Sequence, residues 1–519
     1  MGNTFTEDSD KIKTKDTKDT KKNKFSNSAK KEMARIILMY VGFVLCAVQF
    51  VMGIVLVVQV KKLNMLPTAL IFVLLFIFIL ITAWFGVMQK WLATGIVAKV
   101  LAIMLIVGIT IASSYVKATN DALEKMTGIT TQIDNVHVYV LIEDTAQTIK
   151  DAKDYNFGIL ETLDRENTDT YIVDIEKEVS KEIAITEYSD IFKLAAAFYK
   201  GEVQAIVLNQ AYIGILSGNE KYVDFADRVR SIDSKQIVSE VEENINDEDY
   251  LYAGEDVFTV YISGIDTTGS PETNQNSDVN IILTANLTTR QILMISTPRD
   301  YYVPLSISGG MEDKLTHAGG YGIDVCVETL SMLYEVNIDD YIKVNFTGFE
   351  KIIDELGGIN VYSDYAFSID GHYFNEGYNE LNGEEALYFS RERHAFLDGD
   401  RQRGRNQMAV IEAMIEKAIS KEMLENYTDV LNAVSDSMVT SMTQEEIGEL
   451  VQFQLNDMRG WDIVTYDLNG YDGMGVTYSG GSQELYVMYP DEESVNQAKE
   501  YLEQIYAGEK VVIKEVVPE

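Results

Sequence analysis

Five arginines lie within fifteen residues of one stretch, EEALYFSRERHAFLDGDRQRGRNQ, in a chain whose formal net charge is −38. They are Arg391, Arg393, Arg401, Arg403 and Arg405. A guanidinium is a planar fork of donors that pairs bidentately with phosphate or carboxylate and stays charged at any workable pH. Clustered arginine on an acidic chain therefore favours binding of an anionic ligand. The alternative is a solvated face on which the arginines neutralise neighbouring Asp and Glu.

Two aspartates could add a metal to this chemistry. Asp266 and Asp278 each stand beside the end of a predicted strand and bracket a polar loop. Carboxylate oxygens suit Mg²⁺ or Mn²⁺, which keep coordination positions for water and substrate phosphates. Alternatively, each aspartate caps a turn, a common role for Asp at such positions.

Three further spacings extend the set. In the segment STPRD, Asp300 either orients Arg299 or forms a structural pair with it. Arg391 and Arg393 alternate along a predicted strand and so share a face. Arg403 and Gln407 are four residues apart at a predicted helix start, one turn along a single face. Together with the two aspartates, these groups describe a metal and arginine clamp for a diphosphate, because phosphoryl transfer requires charge neutralisation and positioning.

The elements that must position these groups lie late in a chain of 519 residues, which is long enough for two or three domains. The run DVFTVYI at 256–262 is strand-like, and 279–285 and 291–297 form a predicted hairpin. Helical spacing marks 346–356 and 405–421. The alternation predicts an α/β domain over residues 251–519, with a central mixed sheet flanked by helices.

The N-terminal part is physically different. Residues 1–116 contain 14 Lys and Arg against 6 Asp and Glu, which leaves 29 basic and 75 acidic residues for the remainder. Residues 1–35 are lysine-rich and predicted to be a disordered tail. The runs 36–60, 68–88 and 96–116 each approach or exceed the roughly 20 apolar residues of a membrane-spanning helix. Residues 36–116 are therefore predicted to hold three transmembrane helices.

Positive charge near the membrane predicts the orientation. The lysines of the tail favour a cytoplasmic N-terminus, although Lys61 and Lys62 in the first loop pull weakly the other way. Three crossings then place residues 117–519 outside the cell. The acidic composition of that part argues against nucleic acid as a partner.

Residues 117–250 are expected to form a small accessory α/β domain. Its expected strands are 136–142, 171–175 and 203–208, its expected helices are 145–153 and 191–199, and 231–249 is expected to be a linker or a helix. No reactive constellation stands out in this part. Cys46 and Cys326 belong to different parts of the chain, so no disulfide is predicted and Cys326 is expected in the core.

Taken in order, the motifs resemble the LytR-CpsA-Psr family of bacterial cell-wall glycopolymer transferases. The resemblance covers about residues 255–425. The three membrane spans and the unit at 117–250 are similar to the streptococcal capsule-type branch, which carries an accessory domain there. The segments that carry it are SGID (263–266), SDVNIIL (277–283), ISTPRDYYV (295–303), NFTGFEKIIDELGGINV (345–361), LNGEEALYFSRERH (381–394) and GDRQRGRNQ (399–407).

The resemblance implies a magnesium-dependent phosphotransferase. Such an enzyme takes a capsular or teichoic-acid-like glycopolymer from a polyprenyl-diphosphate carrier and joins it to peptidoglycan by a phosphodiester. By motif position, Asp266 and Asp278 would serve Mg²⁺ (or Mn²⁺), and Asp300 would position Arg299. The diphosphate would be bound by Arg299, Lys314, Arg391, Arg393, Arg403 and Gln407. Asn276 stands where the family often has an arginine, and the general base is left open among the carboxylates.

Two alternative functions fit the same residues. A lipid-diphosphate pyrophosphatase would use water in place of the wall sugar. A non-catalytic regulator or assembly partner of the capsule machinery would act through its lysine-rich tail. For a lipid substrate, an apolar groove is expected between the sheet and helices such as 325–334 and 346–356.

Overall fold

The computed structural model describes residues 8–62, 68–89, 91–241, 250–251, 254, 256–265, 269–396, 399–420 and 434–513. The chain divides into two compact units. One is Met1–Asp121 with Gly448–Phe453, and the other is Ala122–Ile447 with Gln454–Glu519.

Three N-terminal helices, α1 (Asp8–Lys62), α2 (Thr68–Met88) and α3 (Leu92–Met126), dominate the first unit. Each contains a segment long and apolar enough to cross a membrane, with mean hydropathies of 2.7, 2.8 and 2.5. Helix α1 begins at Asp8, so the tail expected to be disordered is helical from that residue onward. The physical reason is that extending an existing helix avoids the cost of nucleating one.

Polar side chains join these apolar helices. The Gln49 Nε2 amide donates to Thr82 Oγ1 at 2.9 Å, and Lys99 Nζ donates to Gln89 Oε1 at 2.8 Å. Such contacts between apolar helices satisfy groups that hydrocarbon would leave without partners.

The second unit begins with a five-stranded sheet in the order β3-β2-β4-β1-β5. Three expectations for this region are wrong. Residues 171–175 belong to a helix, because Tyr171, Ile172 and Ile175 form its buried stripe. Residues 145–153 form turns held by the Asp151 carboxylate, and 231–240 belong to a strand paired along β1. The strands are β1 (Thr131–Leu141), β2 (Asn156–Leu160), β3 (Ala184–Tyr188), β4 (Ala205–Asn209) and β5 (Val229–Glu240), and the helices are α4 (Arg165–Val179), α5 (Ile191–Tyr199), α6 (Ile213–Ser217) and α7 (Phe225–Arg228).

A mixed six-stranded sheet follows, in the order β16-β11-β6-β7-β8-β17. Strand β6 is parallel to β11 and antiparallel to β7, and β8 is antiparallel to β7 and parallel to β17. The predicted hairpin is confirmed. The strands of this sheet are β6 (Val257–Ile265), β7 (Ser277–Asn286), β8 (Gln291–Ser296), β11 (Asp340–Asn345), β16 (Met438–Thr440) and β17 (Asp462–Asp467).

Helices and short hairpins surround this sheet. The helices are α8 (Leu315–Tyr321), α9 (Ile323–Tyr334), α10 (Phe346–Glu355), α11 (Gly383–Arg391), α12 (Asp400–Ala418), α13 (Gln444–Asp457) and α14 (Glu492–Tyr506). The hairpin strands are β9 (Tyr302–Pro304), β10 (Glu312–Lys314), β12 (Ile359–Ser363), β13 (Phe367–Ile369), β14 (His372–Phe374), β15 (Gly377–Leu381), β18 (Gly470–Val476) and β19 (Glu484–Pro490). The predicted α/β class, with a mixed sheet flanked by helices, is confirmed.

The core lies on both faces of the six-stranded sheet, because successive strand residues point to opposite sides. Leu293 of β8 packs with α9 and α14, whereas Met294, the next residue, packs with Met408 of α12. Cys326 of α9 is fully buried and free, as expected for a core residue. Helix α9 thus fills the first face, and α12 covers the second.

The loop before β7 ties the two sheets together. The Ile133 amide of β1 donates to the Glu272 carbonyl at 3.0 Å, and the Asn274 amide donates back to the Ile133 carbonyl at 2.8 Å. The buried Asp134 carboxylate accepts from the side-chain amides of Asn209 and Asn274 at 2.9 and 3.2 Å. These bonds fix the chain immediately before Asp278.

Candidate active site

The carboxyl ends of four strands meet at one edge of the six-stranded sheet. Ile265 at the end of β6 pairs with Asn345 at the end of β11, and Ser296 at the end of β8 pairs with Asp467 at the end of β17. Strand β7 runs antiparallel, so its first residues lie at the same edge. Loops at this edge of an α/β sheet commonly build the ligand site.

A chain of alternating charges crosses this edge. Arg299 Nη1 lies 2.7 Å from Asp278 Oδ1, and Arg299 Nε lies 3.7 Å from Asp300 Oδ2. Lys314 Nζ lies 3.0 Å from Asp300 Oδ1. The four side chains that were predicted separately therefore form one connected group.

Asp300, the carboxylate that lies between Arg299 and Lys314 in this group, is ionised. Burial alone would raise the pKa of Asp300, but the positive charges of Lys314 and Arg299 and the Lys314 hydrogen bond outweigh burial and lower it. The backbone reinforces the arrangement, because the Thr316 amide donates to the Arg299 carbonyl at 2.8 Å. Asp300 thus acts as a fixed negative charge between two cations.

Helices α11 and α12 bring the arginine cluster to the same place. Gln407 Nε2 donates to the Ser390 carbonyl at 3.4 Å, and Asn406 Nδ2 donates to the Phe389 carbonyl at 3.2 Å. These bonds join the end of α11 to the first turns of α12. The Arg391 guanidinium lies over the Phe346 ring, 4.9 Å from its centroid.

One cavity of about 580 Å³ collects most of the predicted site. One end carries the charged and polar groups, and the remaining walls are apolar. The polar end is lined by Asp278, Arg299, Arg391, Arg393, Arg403 and Gln407. The apolar walls come mainly from β6, β11, α10 and α12, with Phe346, Phe349, Ile352, Leu356, Ile411, Met414 and Ile415.

A second, much smaller polar cavity of about 30 Å³ adjoins the first. The two cavities share Asp278, Arg299, Arg403 and Gln407. The smaller one is also lined by Arg401, Gly404, Arg405 and Asp467. Arg401 Nη2 donates to the Gly470 carbonyl at 2.5 Å, and Arg405 Nε donates to Gln402 Oε1 at 2.8 Å.

Two sequence predictions about the elements of the site are wrong, and one residue of the site lies outside the described residues. Asp266 lies outside the described residues, so the predicted pair with Asp278 stays a prediction. Arg391 and Arg393 do not alternate along a strand: Arg391 ends α11, and Arg393 lies in the irregular segment that follows. The expected groove is lined by α10, but α9 packs into the core on the other face, because its apolar stripe is fully covered there.

Three features of the site, two contacts and one lining residue, were not predicted from the sequence. The Thr316 hydroxyl donates to Asp278 Oδ1 at 3.3 Å, Phe346 lies beneath Arg391, and Asp467 lines the smaller cavity. Only the Asp467 position carried a sequence signal, since the residue ends the strand-like run DIVTYD. The other two contacts depend on tertiary packing.

The fold and site define an α/β protein with three N-terminal helices of membrane-spanning length and a cavity suited to a ligand that is anionic at one end and apolar at the other. The family model described as the LytR_cpsA_psr family matches residues 214–502. The chain belongs to this family, which confirms the family resemblance of the motifs.

Two relatives are similar to part of this chain. A protein of Enterococcus faecalis (strain ATCC 700802 / V583), named polyisoprenyl-teichoic acid–peptidoglycan teichoic acid transferase TagU, is 34% identical over 195 residues, which cover 37% of this chain and 64% of the relative. A protein of the same name from Bacillus mycoides (strain KBAB4) is 32% identical over 224 residues, which cover 42% of this chain and 73% of the relative. The chain thus spans just under two thirds of the first relative. By name both are transferases, in agreement with the enzyme class predicted from the sequence.

Among solved structures, the crystal structure of B. subtilis TagV is similar at 26% identity. The similarity covers 50% of this chain and all of that chain, with a TM-score of 0.42.

Proposed function

We propose that this chain is a transferase that attaches a glycopolymer, carried on a polyprenyl diphosphate, to peptidoglycan through a phosphodiester. The observation that carries the proposal is the single cavity in which Asp278, Arg299 and Arg403 stand at one end of an apolar chamber of about 580 Å³. A lipid diphosphate has the same division into a charged head and an apolar tail. A soluble sugar nucleotide lacks an apolar tail that could pack against the apolar walls.

The arginines would bind and orient the diphosphate. Arg391 is held by Phe346, and Arg299 is held between Asp278 and Asp300, so both guanidiniums are positioned before the ligand arrives. Fixed cations facing the oxygens of a transferring phosphoryl group stabilise the charge that develops in the transition state. Gln407 would contribute an amide donor beside Arg403.

Asp278 fits a proposed role in holding Mg²⁺ or Mn²⁺. It presents a carboxylate, the donor that hard divalent cations prefer, at the cavity wall where the diphosphate would lie. Within the described residues no group of three or more His, Cys, Asp or Glu is arranged to hold a metal. Mg²⁺ commonly takes one or two carboxylates together with substrate phosphates. The bound cation would neutralise phosphate charge, and Asp266 is proposed as its second ligand.

The N-terminal helices support delivery of this substrate. Three helices of membrane-spanning length would anchor the chain in the bilayer that holds the lipid carrier. With the lysine-rich N-terminus in the cytoplasm, residues 117–519 would face the peptidoglycan outside. The transferred polymer would be a capsular polysaccharide or a polymer similar to teichoic acid.

The test uses the full chain in lipid nanodiscs, with a radiolabelled saccharide on a polyprenyl diphosphate and peptidoglycan as acceptor. Label that becomes bound to peptidoglycan through an acid-labile phosphodiester supports the proposal. The double variant Arg391→Ala with Arg393→Ala is expected to lose this transfer. A matched control changes two arginines of the first sheet region that do not line the cavity, Arg165→Ala with Arg228→Ala, and should keep it.

Two results would overturn the proposal. Release of soluble saccharide phosphate without any peptidoglycan adduct would show a pyrophosphatase. Unchanged polymer attachment in cells carrying the double variant, together with its loss when residues 1–31 are deleted, would show a non-catalytic assembly role.

A further inference from the structure

The smaller cavity contains a carboxylate that the proposed function has not used. Asp467 ends β17 beside Ser296, which ends β8. Its Oδ1 atom is shielded from solvent and accepts no hydrogen bond from any described residue. A shielded carboxylate oxygen without a donor is costly to retain, so its presence calls for a ligand or a reaction partner.

The surroundings of Asp467 raise the pKa of its carboxyl group toward neutral pH. Burial raises its pKa to about 6, and the Arg405 charge and the Ser296 hydroxyl only partly oppose that effect. The charged groups that line the same cavity are Asp278, Arg299, Arg401, Arg403 and Arg405. A carboxylate of this kind is ionised at neutral pH yet basic enough to accept a proton.

The cavity has space beside Asp467 because residue 404 is glycine. A Cβ built on Gly404 would lie 3.7 Å from Ser296 Oγ and 3.9 Å from Asp467 Oδ1. The volume of about 30 Å³ is enough for about one or two groups the size of water. A hydroxyl fits in this space, whereas a sugar ring does not.

The two cavities meet at a pair of arginines and extend over different strands of the sheet. The larger cavity is built on β6 and β11 and contains the apolar walls, whereas the smaller is built on β8 and β17 and contains Asp467. Arg299 and Arg403 line both. In an in-line displacement the entering and leaving oxygens occupy opposite sides of the phosphorus. A leaving lipid phosphate on the apolar side therefore requires the entering hydroxyl on the side of Asp467.

We propose that the smaller cavity is the subsite for the acceptor hydroxyl and that Asp467 is the general base of the transfer. The inference rests on the proposed transferase function. Asp467 takes the proton of the acceptor hydroxyl as its oxygen forms a bond to the phosphorus that carries the glycopolymer. The bond from that phosphorus to the bridging oxygen breaks, and the lipid monophosphate leaves with the electron pair. The proton then passes from Asp467 to solvent.

The first test is Asp467→Asn in the full chain in nanodiscs. The turnover number for transfer is expected to fall about 10²–10⁴-fold, while the Kd for the polyprenyl-diphosphate saccharide stays within about twofold of wild type. The acid limb of the pH profile near pH 6 should disappear with the carboxylate. Asp462→Asn is the matched control, because Asp462 begins the same strand and does not line the cavity. Its carboxylate accepts a hydrogen bond of 3.1 Å from the Gln291 side-chain amide.

The second test is Gly404→Ala, which fills the space beside Asp467 and leaves its carboxylate unchanged. Alanine is the better helix former, so the melting temperature should stay equal or rise. Transfer should nevertheless fall at least tenfold, with the KM for the acceptor affected more than the Kd for the lipid. Retained folding with lost transfer is a combination that a merely structural role would not produce.

The outcomes separate the inference from the function on which it rests. Wild-type protein that transfers nothing would remove the proposed function. Wild-type transfer with an Asp467→Asn variant within threefold of it would overturn the assignment of the base alone. Loss of lipid binding in step with turnover in that variant would also overturn it, by showing a structural role.

Discussion

Arg299 and the Thr316 hydroxyl share one oxygen of Asp278. Arg299 Nη1 lies 2.7 Å from Asp278 Oδ1, and Thr316 Oγ1 donates to the same atom at 3.3 Å. Both contacts come from chain segments that follow β8, whereas Asp278 lies on β7. The pairing therefore locks the beginning of one strand to the loop after its neighbour.

Arg299→Lys tests whether the planar fork is needed. A lysine can pair with Asp278 as a point charge but cannot contact Asp300 and a phosphate at the same time. We expect transfer to fall about 10²–10³-fold with little change in melting temperature, measured with the nanodisc assay. Arg459→Lys is the control, because Arg459 is exposed and pairs with Asp457 at 2.5 Å. Wild-type activity in Arg299→Lys would contradict the role of the fork.

Asp300→Asn tests the ion pair with Lys314. Both side chains are mostly buried, with 13% and 8% exposure, and removing the Asp300 charge leaves Lys314 without its carboxylate partner. The free energy of unfolding should fall by about 3 kcal/mol at neutral pH, measured by urea denaturation of the full chain in detergent. An unchanged unfolding midpoint would show that the pair contributes nothing to stability.

The same pair predicts a pH dependence. The pKa of Asp300 is lowered in the folded state, so its stabilising contribution is complete above the unfolded value of about 4. As pH falls below that value through the folded pKa, the contribution is lost. Wild type should therefore lose more stability than Asp300→Asn between about pH 5 and pH 2. Parallel losses in the two proteins would contradict the assignment.

Two neighbouring glycines offer a matched pair. A Cβ on Gly319 would lie 2.4 Å from the Gln275 carbonyl oxygen and 2.8 Å from the Ser277 amide nitrogen, whereas the nearest atom to a Cβ on Gly320 is 3.5 Å away. Gly319→Ala must displace the backbone just before Asp278 and should cost about 1–3 kcal/mol of stability. Gly320→Ala should be close to neutral. Thermal melting and the transfer assay should separate the two variants, and equal behaviour would show that α8 does not position Asp278.

The apolar chamber predicts a dependence on lipid length. Ile411→Trp places a large ring among the walls that α12 and α10 contribute. Substrates with long polyprenyl chains should lose affinity, because each methylene excluded from the cavity forfeits about 0.8 kcal/mol. A short-chain analogue should bind nearly as well as to wild type. Ile307→Trp, at an exposed position, is the control, and equal losses for both chain lengths would place the lipid elsewhere.

Sequence alone determined the fold class and the family, and it identified many of the charged groups that the structure brings together. Long apolar runs identify the membrane-length helices whatever their packing, because no soluble core could bury three of them. Period-two and helical patterns placed β6, β7, β8 and α10 close to their observed bounds, since each has one or two apolar faces. Residue type and order likewise predicted a group of arginines with Asp278.

The local sequence pattern predicted the wrong secondary structure in regions where contacts with distant segments determine it. The run around Tyr171 is apolar enough for a strand, but burial against the first sheet selects a helix. The segment 231–240 is too polar to be recognised as a strand, yet pairing along β1 satisfies its backbone. In both regions the deciding partners are distant in sequence.

The site shows the same division. Arginine identity follows from sequence, but which guanidiniums line the apolar cavity and which line the polar one depends on the joining of α11 to α12. Asp467 could not be assigned to the site from its own neighbourhood, because it reaches the cavity only when β17 pairs with β8, more than 160 residues earlier in the chain. Sequence thus determined which chemical groups are available, and the long-range strand pairing determined which of them meet, because contacts between distant segments leave no local periodic signal.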